Sequence, residues 1–184
     1  MVERGCIEMP IGRAATAAKA ARKEAGVTQL EMTFDEYYGS RESISQQENG
    51  RYQVQPELST YYIEKHNNPW VAMEAAAEYT SWGPVKLDGE AVDLHRTSVS
   101  LKTKEELEEA LVAMNRASRK LTMNPKSIDQ MDVREIEESL LESIDAITAL
   151  NHYVAIISKE YGISWVKMWT QHKIKLIQRR FIKK

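Results

Sequence analysis

The stretch that decides the fold runs from Ala21 to Gly50 and reads ARKEAGVTQLEMTFDEYYGSRESISQQENG. Within it, Thr28 is followed three residues later by Glu31, which is the spacing of a capping box, so a helix is predicted to begin directly after the threonine. Gly39 then interrupts the apolar pattern, and Ser40 is a good N-cap for a second short helix. The pattern therefore predicts two short helices joined by a tight turn.

The second of these helices is expected to have a polar outer face. Ile44 lies four residues after Ser40, on the side that a short helix would bury. The remaining side chains can donate hydrogen bonds to base edges or accept them. They are Arg41, Glu42, Ser43, Ser45, Gln46 and Gln47. We therefore expect this helix to be presented outward.

Four features follow one another in this stretch: an Arg, a Gly-x-Thr-Gln sequence, a Ser-rich helix and a Glu-x-Gly sequence. Because of these features, residues 12 to 64 resemble the phage-repressor-like (Xre or Cro type) helix-turn-helix family. The resemblance implies a five-helix DNA-binding domain whose second short helix, the recognition helix, enters the major groove. It also implies that Arg22 and Glu48 form an internal ion pair with a structural role. Gln29 is expected to bond a phosphate and to brace the recognition helix.

The resemblance also assigns the DNA-contacting positions. Arg41, Glu42, Ser43 and Gln46, next to the N-cap Ser40, fall on the base-facing positions, and Asn49 and Arg51 fall on a phosphate-contacting turn. The chain has one residue more than the common spacing before Ile44, which predicts a wider turn near Tyr37, Tyr38 and Gly39. Glu42 is expected either to accept from a cytosine amino group or to cap its own helix.

The bulk composition fits a folded intracellular regulator. The 184 residues are 42% hydrophobic and 28% charged, which is enough for one or two small cores. The sequence contains one cysteine, Cys6, and we identify no signal-peptide core and no apolar run of about 18 residues. We therefore expect a cytoplasmic protein without a membrane role, associated with the nucleoid when it is bound to DNA. We expect no enzyme activity, no catalytic residue, no metal and no cofactor.

The net charge of the chain is negative, which disfavours binding to the negatively charged DNA backbone. It is −2 for the whole chain, and residues 1 to 60 carry seven basic and nine acidic side chains. Because neutralisation of phosphates supplies much of the affinity for DNA, each subunit is expected to bind weakly. A dimer on two half-sites would compensate through effective concentration.

The chain divides into four predicted segments: a flexible arm (1–10), a helix-turn-helix domain (11–80), an irregular connector (81–100) and a helical oligomerisation or regulatory domain (101–184). Five helices are expected in the second segment, the last two opened by Pro56 and Pro69. The fold class is therefore all-α. In the connector, Trp82 is expected to be a packing anchor; a ligand or partner contact with His95 and Arg96 is the alternative.

The C-terminal half is predicted to contain two long helices. Thr103-x-x-Glu106 and Asp132-x-x-Glu135 have capping-box spacing and are expected to start them. The apolar stripe of the second helix includes Val133, Ile136, Leu140, Ile144, Ile147, Val154 and Ile157. Such a broad stripe predicts a homodimer through these helices, or, as the alternative, a self-contained three-helix bundle.

The segment WVKMWTQHKIKLIQRRFIKK, residues 165–184, contains seven basic residues and no acidic one. It either contacts the DNA backbone or another anionic surface, or it packs its aromatic residues on the preceding helix. In the second case its charges would face the acidic side chains of Glu135, Glu137, Glu138, Glu142 and Asp145. We favour the second interpretation because the acidic and basic runs are comparable in size and adjacent.

The residues thus predict a sequence-specific regulator of transcription that binds double-stranded DNA, a dimeric repressor of phage or mobile-element type. The alternative is a protein-binding regulatory module, antitoxin-like or a phage regulatory partner, with an autoregulatory helix-turn-helix. A third interpretation rests on Glu106-x-x-Glu109 and Glu142-x-x-Asp145, which place carboxylates one helical turn apart. This arrangement resembles the magnesium-dependent all-α nucleotide pyrophosphohydrolases of the MazG type.

Overall fold

The computed structural model describes residues 12–35 and 39–183. These residues form eight α-helices and no strand, which confirms the predicted all-α class. The predicted arm lies outside the described residues, as do residues 36–38 of the predicted wide turn. The chain forms two compact units: a first unit made of the described residues up to Lys86 and from Tyr161 onward, and a second unit, Leu87–Glu160.

Five helices occupy residues 13 to 80 of the first unit, as predicted. They are α1 (Arg13–Ala25), α2 (Gln29–Phe34), α3 (Arg41–Glu48), α4 (Pro56–His66) and α5 (Trp70–Thr80). Gly26 ends α1 with a positive φ of 69°, a conformation that costs glycine little. Pro56 occupies the first turn of α4, where its missing N–H leaves no hydrogen bond unmade.

The core of the first unit forms around the alanine face of α1. Small side chains on that face allow α3, α4 and α5 to approach closely, and the larger apolar residues fill the space between the helices. The buried cluster contains Ala14, Ala18, Ala21, Met32, Ile44, Val54, Leu58, Tyr61, Tyr62, Val71 and Ala75. Ile44 is fully buried, as its spacing from Ser40 predicts. This core fixes α2 and α3 on one scaffold.

The second unit is a helical hairpin of α6 (Arg96–Leu121) and α7 (Gln130–Glu160), joined through a short 3₁₀ turn at Pro125–Ser127. Its buried seam is made of small residues, among them Ala110, Ala113 and Ala117 of α6. Since small side chains meet at the seam, most large apolar side chains of the two helices remain outside it. By length and composition alone α7 could also cross a membrane; one of its faces packs on α6.

Both predicted starts of the hairpin helices are wrong. His95 caps α6, accepting from the backbone N–H of Thr97 at 3.4 Å, so this helix begins inside the predicted connector. Thr103 lies in the second turn, where its hydroxyl donates to the carbonyl oxygen of Val99 at 2.7 Å. Asp129 likewise satisfies the first N–H groups of α7, ahead of Asp132. In each case a side chain earlier in the sequence, His95 or Asp129, accepts from N–H groups at the helix start that have no acceptor within the helix.

The last helix, α8 (Trp165–Gln178), belongs to the first unit and contacts α4. The structure thus groups residues 161–184 differently from the single predicted domain 101–184. The physical reason is Asn67, the residue after α4: its amide oxygen accepts from the Trp165 N–H at 2.7 Å, and its amide nitrogen donates to the carbonyl oxygen of Ile163 at 2.8 Å. Trp165 is buried at the same junction.

Candidate nucleic-acid interface

Side-chain caps define the starts of α2 and α3. The hydroxyl of Thr28 accepts from the Glu31 N–H at 3.1 Å, and the Glu31 carboxylate accepts from the Thr28 N–H at 2.7 Å. This is the predicted capping box. Ser40 caps α3 by accepting from the Ser43 N–H at 3.1 Å. Both helices therefore begin at the residues that the sequence indicates.

A three-residue network braces α3 against the rest of the unit. Arg22 of α1 donates to both carboxylate oxygens of Glu48 at the end of α3, at 2.7 and 2.9 Å. Gln29 of α2 donates to the same carboxylate at 2.8 Å. The hydrogen bond to Glu48 is the main reason why the pKa of Arg22 is raised. The predicted ion pair is present, and Gln29 braces α3 directly.

The side chains of α3 divide into an outer and an inner set. Arg41 and Glu42 are exposed, and Ser43 and Gln46 are half-buried. Gln47 is different, because it lies three residues after Ile44 and shares its buried face. The inclusion of Gln47 in the outer face is therefore wrong.

Gln47 instead joins α3 to the segment that follows it. Its amide nitrogen donates to the hydroxyl of Ser43 at 3.2 Å. Its amide oxygen accepts from the Gln55 N–H at 2.8 Å, just before α4 begins. The side chain therefore fixes the path of the chain from α3 to α4.

Glu42 interacts with its own helix terminus. Its pKa is lowered by a hydrogen bond from its own backbone N–H and, next, by one from the Ser40 hydroxyl. These contacts correspond to the capping alternative for this residue, since a carboxylate in the first turn also faces the positive end of the helix dipole.

An open depression lies between the starts of α2 and α3. It is lined by Arg22, Thr28, Gln29, Leu30 and Arg41. Arg41 makes no ion pair with a described residue, and its guanidinium is free to bind an oxyanion at this place. The depression thus brings together two predicted site residues, Gln29 and Arg41.

The remaining predicted site residues, Asn49 and Arg51, follow α3. Asn49 caps the end of α3 and donates from its side chain to the Ser45 hydroxyl at 3.3 Å. Arg51 is exposed, and its backbone N–H donates to the carbonyl oxygen of Gln46 at 2.9 Å. Both side chains therefore lie at the turn where the resemblance expects phosphate contacts.

The two units differ in charge. Residues 1–86 and 161–184 together contain 16 basic and 12 acidic side chains, whereas residues 87–160 contain 9 and 15. The excess of positive charge in the first unit comes from the C-terminal segment. The charge balance of residues 1–60 leaves this segment out, because the sequence does not show that the two belong to one unit.

Helix α8 contacts α4 within the first unit. Two of the five acidic side chains that α8 was expected to face have partners on α6: Glu135 pairs with Lys120, and Glu138 pairs with Arg116 at 3.3 Å. The favoured interpretation, packing of α8 on the preceding helix, stays a prediction. Asn67 was the available signal for the contact with α4, because an Asn-Asn-Pro turn offers a side-chain amide to a neighbouring segment.

Residues of the predicted connector take structural roles or lie in solvent. Trp82 is 74% exposed, so the expectation of a packing anchor is wrong. His95 is the N-cap of α6, and Arg96 pairs with Glu160 at 3.0 Å.

Two acidic pairs stand out in the sequence, Glu106 with Glu109 and Glu142 with Asp145. Three of these four carboxylates lie close together in the second unit. Oxygen atoms of Glu106, Glu109 and Glu142 lie within 4.8 Å of one another. Lys102 already pairs with Glu106 at 2.9 Å. Asp145 lines a neighbouring cavity of about 410 Å³, together with Glu106 and His152.

Comparison of the chain with protein-family models, with curated proteins and with solved structures finds no match.

Proposed function

We propose that the protein is a sequence-specific, DNA-binding regulator of transcription that acts as a dimer, as a phage or mobile-element repressor does. The observation that carries the proposal is the braced pair of helices α2 and α3. Arg22 and Gln29 hold the end of α3 through Glu48, while Arg41 at its start is exposed. A rigid helix with a polar outer face is what major-groove recognition requires.

Each outer side chain has a role in this proposal. Arg41 and Gln46 donate to base edges, and Ser43 adds a hydroxyl that donates or accepts. Asn49 and Arg51 contact phosphates and set the position of the helix along the groove. The depression beside Gln29 and Arg41 receives a further phosphate.

Dimerisation is supported by the outer surface of the hairpin. One stripe on α6 contains Leu107, Leu111, Met114 and Leu121, and one on α7 contains Val133, Leu140, Ile144 and Ile147; all eight side chains are exposed. Helical periodicity puts each stripe about a quarter turn from the seam. The carboxylates of Glu106 and Glu142 meet across the other side of the seam, so the two stripes share one face.

In this proposal a second copy of the chain covers the apolar face. Two hairpins that pack face to face form a four-helix bundle and cover both stripes at once. The dimer would carry two recognition helices to two half-sites and occlude the promoter beneath them.

The test is retention of duplex DNA across a salt series. Wild-type protein is expected to give discrete footprints on genomic fragments, with affinity that falls as salt rises. Arg41→Ala with Gln46→Ala is expected to abolish the footprints, whereas Lys104→Ala with Arg119→Ala, on the hairpin, should leave them intact. If wild-type protein retains no duplex DNA at low salt, the proposal is wrong.

A second candidate function is favoured by the carboxylate cluster of the hairpin. Three carboxylates suit a hard divalent cation such as Mg²⁺, and the neighbouring cavity could receive a nucleotide. Only part of the set fits, because Lys102 already neutralises Glu106 and Asp145 lies apart from the other three. Release of pyrophosphate from nucleoside triphosphates, dependent on Mg²⁺ and lost in Glu109→Gln, would establish this function; no release would exclude it.

A further inference from the structure

We propose that helix α8 is a second DNA-binding element of the first unit, which contacts the phosphate backbone beside the recognition helix. The inference rests on the proposed function and adds a contact that the helix-turn-helix alone does not provide. Its partner is the backbone of double-stranded DNA, recognised through charge and not through sequence.

The attachment of α8 to the first unit is specific. Asn67 stands after α4 with a positive φ of 49°, which directs its side chain amide to both Ile163 and Trp165. Trp165 is buried, and its ring lies 5.7 Å from that of Trp169. Helix α8 therefore starts from a fixed point on the unit that contains α3.

That fixed point lies close to the edge where phosphates are expected. Next to Asn67, the amide of Asn68 donates to the Glu24 carboxylate at 3.3 Å. Glu24 is in the last turn of α1, and only a short turn separates it from Thr28 and Gln29 at the start of α2. The starts of α8 and α2 are therefore linked through the end of α1.

The charge of α8 is available for a partner. The described basic side chains of the segment are all exposed and form no ion pair with another described residue. They are Lys167, Lys173, Lys175, Arg179, Arg180 and Lys183. The segment contains no acidic residue. Without it, residues 1–86 hold 9 basic and 12 acidic side chains, a balance that repels phosphate.

Phosphates of DNA fit this helix better than those of a lipid surface. A helix that lies on a membrane needs a free apolar face. On α8, Trp165 is buried against the first unit and Met168 is half-buried. The exposed side chains of Trp169 and Ile174 lie about 140° apart around the helix, so they do not form one free apolar face. Lys167, Lys173 and Lys175 point to different sides of the helix. A flat bilayer contacts only one side of a helix, whereas the walls of a DNA groove can contact several.

The experiment compares two triple variants of the full chain on duplexes recovered by selection from a random library. Lys173→Gln, Lys175→Gln and Arg179→Gln remove three charges from α8 and its C-cap. Lys104→Gln, Arg119→Gln and Arg134→Gln remove three from the hairpin, where the side chains are exposed and form no ion pair with described residues. Circular dichroism verifies that both variants fold.

The α8 variant should recover the same sequences as wild-type protein but bind them more weakly. The slope of log affinity against log salt should become shallower by about 0.9 for each phosphate contact removed. The hairpin variant should keep the wild-type slope. Equal slopes for all three proteins overturn the inference, as does an α8 variant that loses binding to phosphatidylserine vesicles while its DNA slope is unchanged. If wild-type protein binds no duplex at all, the proposed function itself fails.

Discussion

Arg22 of α1 and Glu48 of α3 form a bidentate ion pair, with Nε 2.7 Å from Oε1 and Nη2 2.9 Å from Oε2. The Glu48 side chain is completely buried, and that of Arg22 is 16% exposed. Gln29 adds a third hydrogen bond to the same carboxylate. Arg22, Gln29 and Glu48 thus connect three helices through one buried carboxylate, and this charge requires its partner.

Removal of Arg22 should destabilise the first unit. Arg22→Met leaves the buried carboxylate of Glu48 without its counter-charge, which costs about 3–5 kcal/mol of unfolding free energy. The double variant Arg22→Met, Glu48→Leu should be more stable than Arg22→Met, because no unpaired charge remains. Urea denaturation measures both. A loss below about 1 kcal/mol in the single variant would show that the pair does not hold the fold together.

Gln46 and Gln47 are neighbours with opposite expected roles. Gln46→Ala should cost roughly 1–3 kcal/mol of DNA-binding free energy and relax the sequence preference, with little effect on stability. Gln47→Ala should lower the unfolding free energy by about 1–3 kcal/mol, because the Gln55 N–H loses its acceptor. Footprinting and urea denaturation separate the two effects. An unchanged footprint for Gln46→Ala excludes a base contact at that residue.

The sequence predicted the first unit more completely than the second. Short-range signals, such as the Thr28–Glu31 capping box and the Ser40 cap, determine where α2 and α3 begin, and both are present in the structure. Helix α3 is only eight residues long, and its short apolar pattern does not show that Gln47 is buried. The docking of α8 depends on Asn67, nearly a hundred residues earlier in the chain. The Asn-Asn-Pro turn indicates that a side-chain amide is available there, but no local pattern identifies its partner at that separation.

Leu140 and Leu141 test the dimer face. Leu140 is 58% exposed within the apolar stripe, and Leu141 is 63% exposed but about 100° further round α7 than Leu140, at the edge of the stripe that lies far from the seam. Leu140→Lys should therefore give a monomer by sedimentation, whereas Leu141→Lys should remain a dimer. The monomer should also bind DNA more weakly, because the second half-site no longer adds to the affinity.

Two results would contradict the dimer face. One is a wild-type protein that sediments as a monomer at all accessible concentrations. The other is a Leu140→Lys variant that remains a dimer. In the first case the apolar face would serve a different protein, as the regulatory-module alternative expects.

Asp35 should contribute to the acid sensitivity of the first unit. A hydrogen bond from Lys65, at 2.9 Å, is the main reason why the pKa of Asp35 lies below its ordinary value of 3.8. The stabilisation is complete above the ordinary pKa and is lost as the pH falls from that value through the lower native pKa. Asp35→Asn should therefore make stability fall less steeply in this range. Lys65→Met should have the same effect, and urea denaturation at several pH values measures both.

If neither Asp35→Asn nor Lys65→Met changes the slope, the pair does not contribute to stability. Some acid sensitivity should persist in both variants, because the pKa values of Glu31 and Glu42 are lowered by their own capping contacts. Their contribution has the same sign.

The most direct test of the central claim, that α3 of a dimer reads DNA, is selection of bound duplexes from a random library with the 184-residue chain. We predict enrichment of two half-sites related by two-fold symmetry, with centres about 10 base pairs or a multiple of that apart. Gln46→Ala should change the enriched bases within each half-site but not the spacing between half-sites. Failure to enrich any sequence, with no retention of duplex at low salt, would contradict the account.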